Sequence, residues 1–201
     1  MPYARTQIEA ATNALEHAIA FDRPADTVLH DYFHANRALG NRERAFVADT
    51  VYGVLRRLRT IEHLAGGRRP RPMVLVWLAR YAGASVRDLA SVLGTDEISW
   101  LAAVKAASLE GLSPPVMLEL PDWIVESLHG QTAESELVAL ARGFFESAPL
   151  DLRVNTLLAK RDQVLRELES DGIPAVPTPY SPVGVRVQGR PSINQIGRAH
   201  V

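Results

Sequence analysis

Apolar residues recur at helical spacing through most of this chain and at alternating spacing near its end. Ile8, Ala11, Leu15, Ala18 and Ile19 share one face of a helix opened by the capping-box pattern Thr6-x-x-Glu9. Pro24 suits a first turn, and Val28, Leu29, Tyr32 and Phe33 form the next apolar stripe. After Gly40-Asn41 the longest helix is predicted, Arg42 to Leu64, with Phe46, Val47, Thr50, Val51, Val54, Leu55, Leu58 and Ile61 inward and Gly66-Gly67 ending it. The prolines of Arg68-Arg-Pro-Arg-Pro72 predict a turn, since each disfavours helix in the residue before it. Met73–Tyr81 reads as a short helix apolar all round, hence central. Ser85-x-x-Asp88 caps a helix over Val86–Leu93, and Glu97–Leu109 follows. Leu112–Pro115 reads as a loop. Leu120-Pro-Asp-Trp123 opens a helix with Trp123, Ile124 and Leu128 inward, and Glu134–Phe145 is the last of the series.

The period changes near Ser147-Ala-Pro149. Leu150-Asp-Leu-Arg-Val-Asn-Thr156 alternates as a strand, residues 160–172 form an amphipathic helix ended by Gly172, and strands follow at Ile173–Pro177 and Val183–Gln188. Prolines 174, 177, 179 and 182 keep the stretch between them out of any central strand. The expected architecture is mainly α, a helical bundle over 1–147, followed by a small α+β strand-helix-strand module over 148–195. The module is small enough that Val154, Leu157, Val164, Leu165, Leu168 and Val185 must pack on the bundle or leave an apolar patch.

Composition narrows the chemistry. With 47% hydrophobic residues in 201 there is ample material for a core. No apolar run approaches the ~18 residues that cross a bilayer, and the N-terminus lacks the features of a signal peptide, so a cytoplasmic location is expected. The chain has no cysteine, which excludes disulfides, thiolate metal sites and cysteine nucleophiles. Net charge is −1, but the charge is uneven. Six arginines (Arg56, Arg57, Arg59, Arg68, Arg69 and Arg71) stand against Glu62 in the run 56–71, whereas 84–147 holds ten acids and three bases. Histidines 30 and 34 lie one helical turn apart, but no third ligand accompanies them and a metal is not expected. The three tryptophans fall on apolar faces and read as core.

Three stretches carry a family resemblance. Asn41-Arg-Glu-Arg-Ala-Phe-Val-Ala-Asp-Thr-Val-Tyr-Gly-Val-Leu-Arg56, Leu120-Pro-Asp-Trp123 and Ala148-Pro-Leu-Asp-Leu-Arg-Val-Asn-Thr156 resemble, in this order and spacing, the N-terminal part of RsmB/NOP-family RNA cytosine-5 methyltransferases. The resemblance covers about residues 5–190. It implies a NusB-like helical RNA-binding domain, then a linker module that precedes a methyltransferase domain. That domain, in cis, would bind S-adenosylmethionine and carry the cysteine thiolate that activates cytosine. Neither its Gly-rich loop nor its cysteines occur here, so no catalytic, cofactor-binding or metal residue is assigned to this chain, and S-adenosylmethionine is expected only for the full-length parent. Residues 196–201, Ile-Gly-Arg-Ala-His-Val, depart from the family pattern and match one frame of a common sequencing adapter before a stop codon. They are expected to be a non-native tail, and the DNA after codon 195 tests this.

The resemblance implies RNA, ribosomal by class, as the partner. The candidate contacts are the six arginines of 56–71, because the guanidinium fork pairs with phosphate and stacks on bases. Arg153 and Asn155, two apart on a predicted strand and so on one face, join them. The plainer readings are a solvated helix end complementing its dipole for the arginines, and an Asp151–Arg153 pair on the strand. A rival from another class is a stand-alone NusB-type antitermination module without catalysis, which has no need of 148–190.

Overall fold

Helix α5 (Pro70–Arg80) sets the layout of the helical part, because Met73, Val74, Leu75, Val76, Leu78 and Ala79 are all buried and cover its whole circumference. The computed structural model describes residues 3–145 and 148–189 of two compact units, Met1–Phe145 and Glu146–Val201. The expected adapter tail, 196–201, lies outside the described residues. In the first unit α1 (Arg5–Ala18), α3 (Asn41–Arg56), α4 (Leu58–Ala65) and α7 (Thr95–Ala106) pack around α5, and α2 (Ala25–Ala35) lies against α1 and α3. Ile8, Leu15, Val47, Val51, Val54, Ile61, Leu75 and Leu101 form the centre of this core. A second, smaller core holds Leu118, Leu120, Val125, Leu137 and Ala141, from α8 (Pro114–Leu118), α9 (Asp122–Leu128) and α10 (Glu134–Gly143).

Several expectations need correction. The cap of α1 is not Thr6: the helix starts two residues earlier, at Arg5, and the Ala4 amide donates to Gln7 Oε1 at 3.2 Å. The predicted turn 68–72 holds only for Arg68 and Arg69, and from Pro70 the chain is already the first turn of α5. Pro70 and Pro72 fit there because the first amides of a helix have no partner within it. The loop at 112–115 runs into α8 for the same reason, with prolines at its first two positions. Trp123, read as inward, is 70% exposed, since the short α9 turns Val125 to the core instead. The Ser85-x-x-Asp88 box forms as expected on α6 (Val86–Leu89), Asp88 N–H donating to Ser85 Oγ at 3.1 Å.

The largest departure is in the long helix, which breaks at Arg57 (φ −123°, ψ 35°) into α3 and α4. Its apolar spacing is continuous, so periodicity alone cannot reveal the break. A partner distant in sequence compensates for it. Glu119 accepts from the Arg59 amide (2.9 Å) and the Thr60 amide (3.2 Å) at the start of α4, and Thr60 Oγ1 donates to the Val116 carbonyl. A carboxylate there satisfies amides that lack a partner within the helix and complements its positive end.

The second unit is a three-stranded antiparallel sheet in the order β1 (Leu150–Arg153), β3 (Gly184–Val187), β2 (Ala175–Pro177), with α11 (Arg161–Ser170) on one face. The register pairs Asp151 with Arg186 and Val176 with Arg186 on the other face. The unit closes its own core from Val154, Val164, Leu168, Ile173, Val185 and Val187, so these do not form the anticipated patch, but Leu157 is 92% exposed. This core is small. Hydrogen exchange should show amides of β1 and β3 opening at lower free energy than those of α3 and α5, and equal protection would refute that ranking.

Candidate RNA interface

The six arginines of 56–71 divide into those engaged within the unit and those that are not. Arg57, at the helix break, lies over two rings, its guanidinium carbon 4.7 Å from the centre of Tyr81 and 4.3 Å from that of Phe145. Tyr81 in turn stacks on Trp77 at 5.8 Å. Arg59 pairs with Asp122 at 2.7 Å and holds that carboxyl below its usual range. Arg71 grips both oxygens of Glu97 at 2.8 and 2.9 Å and donates to the Val92 carbonyl, which lowers the Glu97 pKa and ties α5 to the start of α7. Arg68 pairs with Glu62 at 3.0 Å while staying exposed. The side chains of Arg56 and Arg69 are exposed and make no hydrogen bond or ion pair among the described residues. The structure therefore gives four of the six an internal partner. Arg59, Glu62, His63 and Arg68 line an open cleft of about 340 Å³.

In the second unit Arg153 and Asn155 do not share a strand face, because β1 ends at Arg153. The Asn155 side chain accepts from the Leu157 amide at 3.1 Å, and the Asn155 backbone carbonyl accepts from the amides of Leu158 and Ala159. Asn155 thus shapes the turn into α11, as short polar side chains do. Arg153 is exposed, with no side-chain partner among the described residues. The anticipated Asp151–Arg153 pair is replaced by a cross-strand one. Arg186 donates to both oxygens of Asp151 at 2.7 and 2.8 Å, which lowers the Asp151 pKa.

Residues 120–194 match the model for the RsmF/B-like methyltransferase, ferredoxin-like domain. Over 127 residues the chain is 36% identical to ribosomal RNA small subunit methyltransferase B of Thermus thermophilus, a match covering 54% of this chain and 31% of that protein. Both matches point to RsmB-type methyltransferases. A second relative, the probable ribosomal RNA small subunit methyltransferase B of Synechocystis sp., is 26% identical over 181 residues, covering 74% of this chain and 41% of that one. The chain thus spans well under half the length of either relative. The crystal structure of PH0851 superposes with a TM-score of 0.57 at 16% identity, covering 96% of this chain and 51% of the other, a likeness of fold. The family segment begins at Leu120, inside the helical unit, so it takes in α9 and α10 as well as the sheet.

Two residues of consequence escaped sequence reasoning. Glu119 sits among acids in an acidic stretch, and nothing local marks it as the cap of a helix about sixty positions earlier. Tyr180 stands between Pro179 and Ser181 in a stretch read only as broken by prolines, yet it is 98% exposed.

Proposed function

We propose that this chain is the RNA-gripping portion of an S-adenosylmethionine-dependent rRNA cytosine-5 methyltransferase of the cytoplasm. The observation that carries this reading is the match of residues 120–194, together with relatives named as rRNA small subunit methyltransferases. The first unit is read as the NusB-like domain of residues 1–147, and 148–195 as the module that precedes a catalytic domain in cis. That domain would supply the methyl donor site and the thiolate. The residues of this chain do not fit the donor: Gly66-Gly67 terminates α4 rather than joining a strand to a helix, and no cysteine is present. The matched segment 120–194 also disfavours a stand-alone antitermination module, which needs no such part.

RNA contact falls to the arginines that the fold leaves available. Arg56 and Arg69 lead, Arg68 and Arg153 can reach outward, and Arg57, Arg59 and Arg71 act first as internal ties. Fluorescence anisotropy with a labelled rRNA hairpin across a salt series tests this. Replacing Arg56 and Arg69 with alanine is expected to lower the salt slope by about 1–2, since each phosphate contact contributes roughly 0.7–0.9. An unchanged slope would place the interface elsewhere, and no binding by the unmodified chain at low salt would defeat the reading.

A further inference from the structure

The sheet of the second unit has one face covered by α11 and one open, and the open face has a built depression. Its floor is Gly184, opposite Arg153 in the register, where any Cβ would collide with the Thr178 side chain. Around it stand Arg153, Thr178, Tyr180 and the Asp151–Arg186 pair, which border an open depression of about 330 Å³. That is the low end of the range for a small-molecule site and the scale of one nucleotide.

The loop that carries Tyr180 is braced from several sides. Prolines 177, 179 and 182 restrict its backbone. Thr178 Oγ1 donates to the Ser181 carbonyl at 3.2 Å, Arg161 Nη1 donates to the same carbonyl at 3.3 Å, and the Val183 amide donates to Ser181 Oγ. Tyr180 is nevertheless almost wholly exposed. A large aromatic ring held in water on a stiff loop gains nothing for the fold, but it offers a stacking surface that loses little entropy on binding.

Charge favours an anion there. Asp151 is neutralised by Arg186, while Arg153 has no acid partner among the described residues. The fixed Asp151–Arg186 pair presents an acceptor and donors side by side, a pattern suited to the edge of a base.

We infer that this face holds one unpaired nucleotide of a single-stranded RNA segment, the base stacked on Tyr180 and the phosphate on Arg153. The inference rests on the RNA reading above and gives the second unit a contact of its own, distinct in kind from the arginines of the first. The experiment titrates the full chain with a short single-stranded uridine-rich RNA and, separately, with a fully paired hairpin. Tyr180→Ala should weaken single-strand binding about 5- to 150-fold, the effect of losing one stacked base. Tyr180→Phe should restore it, since stacking needs the ring and not the hydroxyl. Arg153→Ala should instead reduce the salt slope by about one. Because Tyr180 is exposed, circular dichroism of the variants should match the parent. If Tyr180→Ala binds the single strand as tightly as the parent while Arg56→Ala/Arg69→Ala loses hairpin binding, the nucleotide site is wrong and the RNA reading stands. If the parent binds neither RNA, both fall.

Discussion

Gly53→Ala is expected to destabilise the helical unit, against the usual direction of that substitution. In an exposed helix interior, alanine is better than glycine by roughly 0.5–1 kcal/mol. Gly53 lies buried in α3 where it faces α5, and a Cβ built on it would overlap the six-membered ring of Trp77. Trp77 cannot retreat freely, because Tyr81 stacks on it and Arg57 lies over Tyr81. Overpacking of a filled core costs about 1–3 kcal/mol. For a protein of this size that corresponds to a fall in Tm of roughly 2–4 °C per kcal/mol, and thermal unfolding followed by circular dichroism measures it. A Tm equal to or above that of the parent would show that the indole can move aside at little cost.

Glu119→Ala should have an effect of similar size by a different route. It strips the start of α4 of both its acceptors and leaves the Arg59 and Thr60 amides part-buried and unbonded, a loss of about 1–3 kcal/mol. The pH dependence separates the cap from the charge. Burial pushes the Glu119 carboxyl above its usual range, against the opposing pull of its hydrogen bonds. The folded state then holds the proton to higher pH than the unfolded chain does. Stability from this group is full below the ordinary glutamate range and is lost as pH rises through the folded pKa. Glu97, Asp122 and Asp151, each lowered by an arginine, act with the opposite sign and lose stability as pH falls. The difference in denaturant midpoint between parent and Glu119→Gln across pH isolates Glu119. The parent should fall relative to the variant as pH rises through the range above ordinary glutamate, and a pH-independent difference would mean that the carboxylate is fully compensated in the fold.

The elements most legible in the sequence were those with local causes. Ser85 and Asp88 cap their own helix, and the alternation of Leu150, Leu152, Val185 and Val187 places the covered face of the sheet. What stayed hidden depended on partners distant in sequence. The break at Arg57 lies within an unbroken apolar stripe and becomes visible only when Glu119 arrives from α8's end. The arginine run looked like one basic face because its neutralising acids, Glu97 and Asp122, lie about 26 and 63 positions away from their partners. Asn155 misled for the reverse reason, since its own turn hydrogen bonds were local but were read as strand. Tyr180 offered no pattern to read, because an exposed ring between prolines has no periodicity.

The Glu119 cap also bears on how this lineage can be cut and rejoined. The segment shared with the ferredoxin-like family begins at Leu120, one residue after the carboxylate that completes α4 and two before Asp122, which pairs with Arg59. A crossover between two relatives at that border would leave α4 with the cap of one parent and the arginine partner of the other. Chimeras joined there inherit a seam in which Arg59, Glu119 and Asp122 must be drawn from compatible parents, whereas a junction placed at the unit boundary after Phe145 keeps all three together.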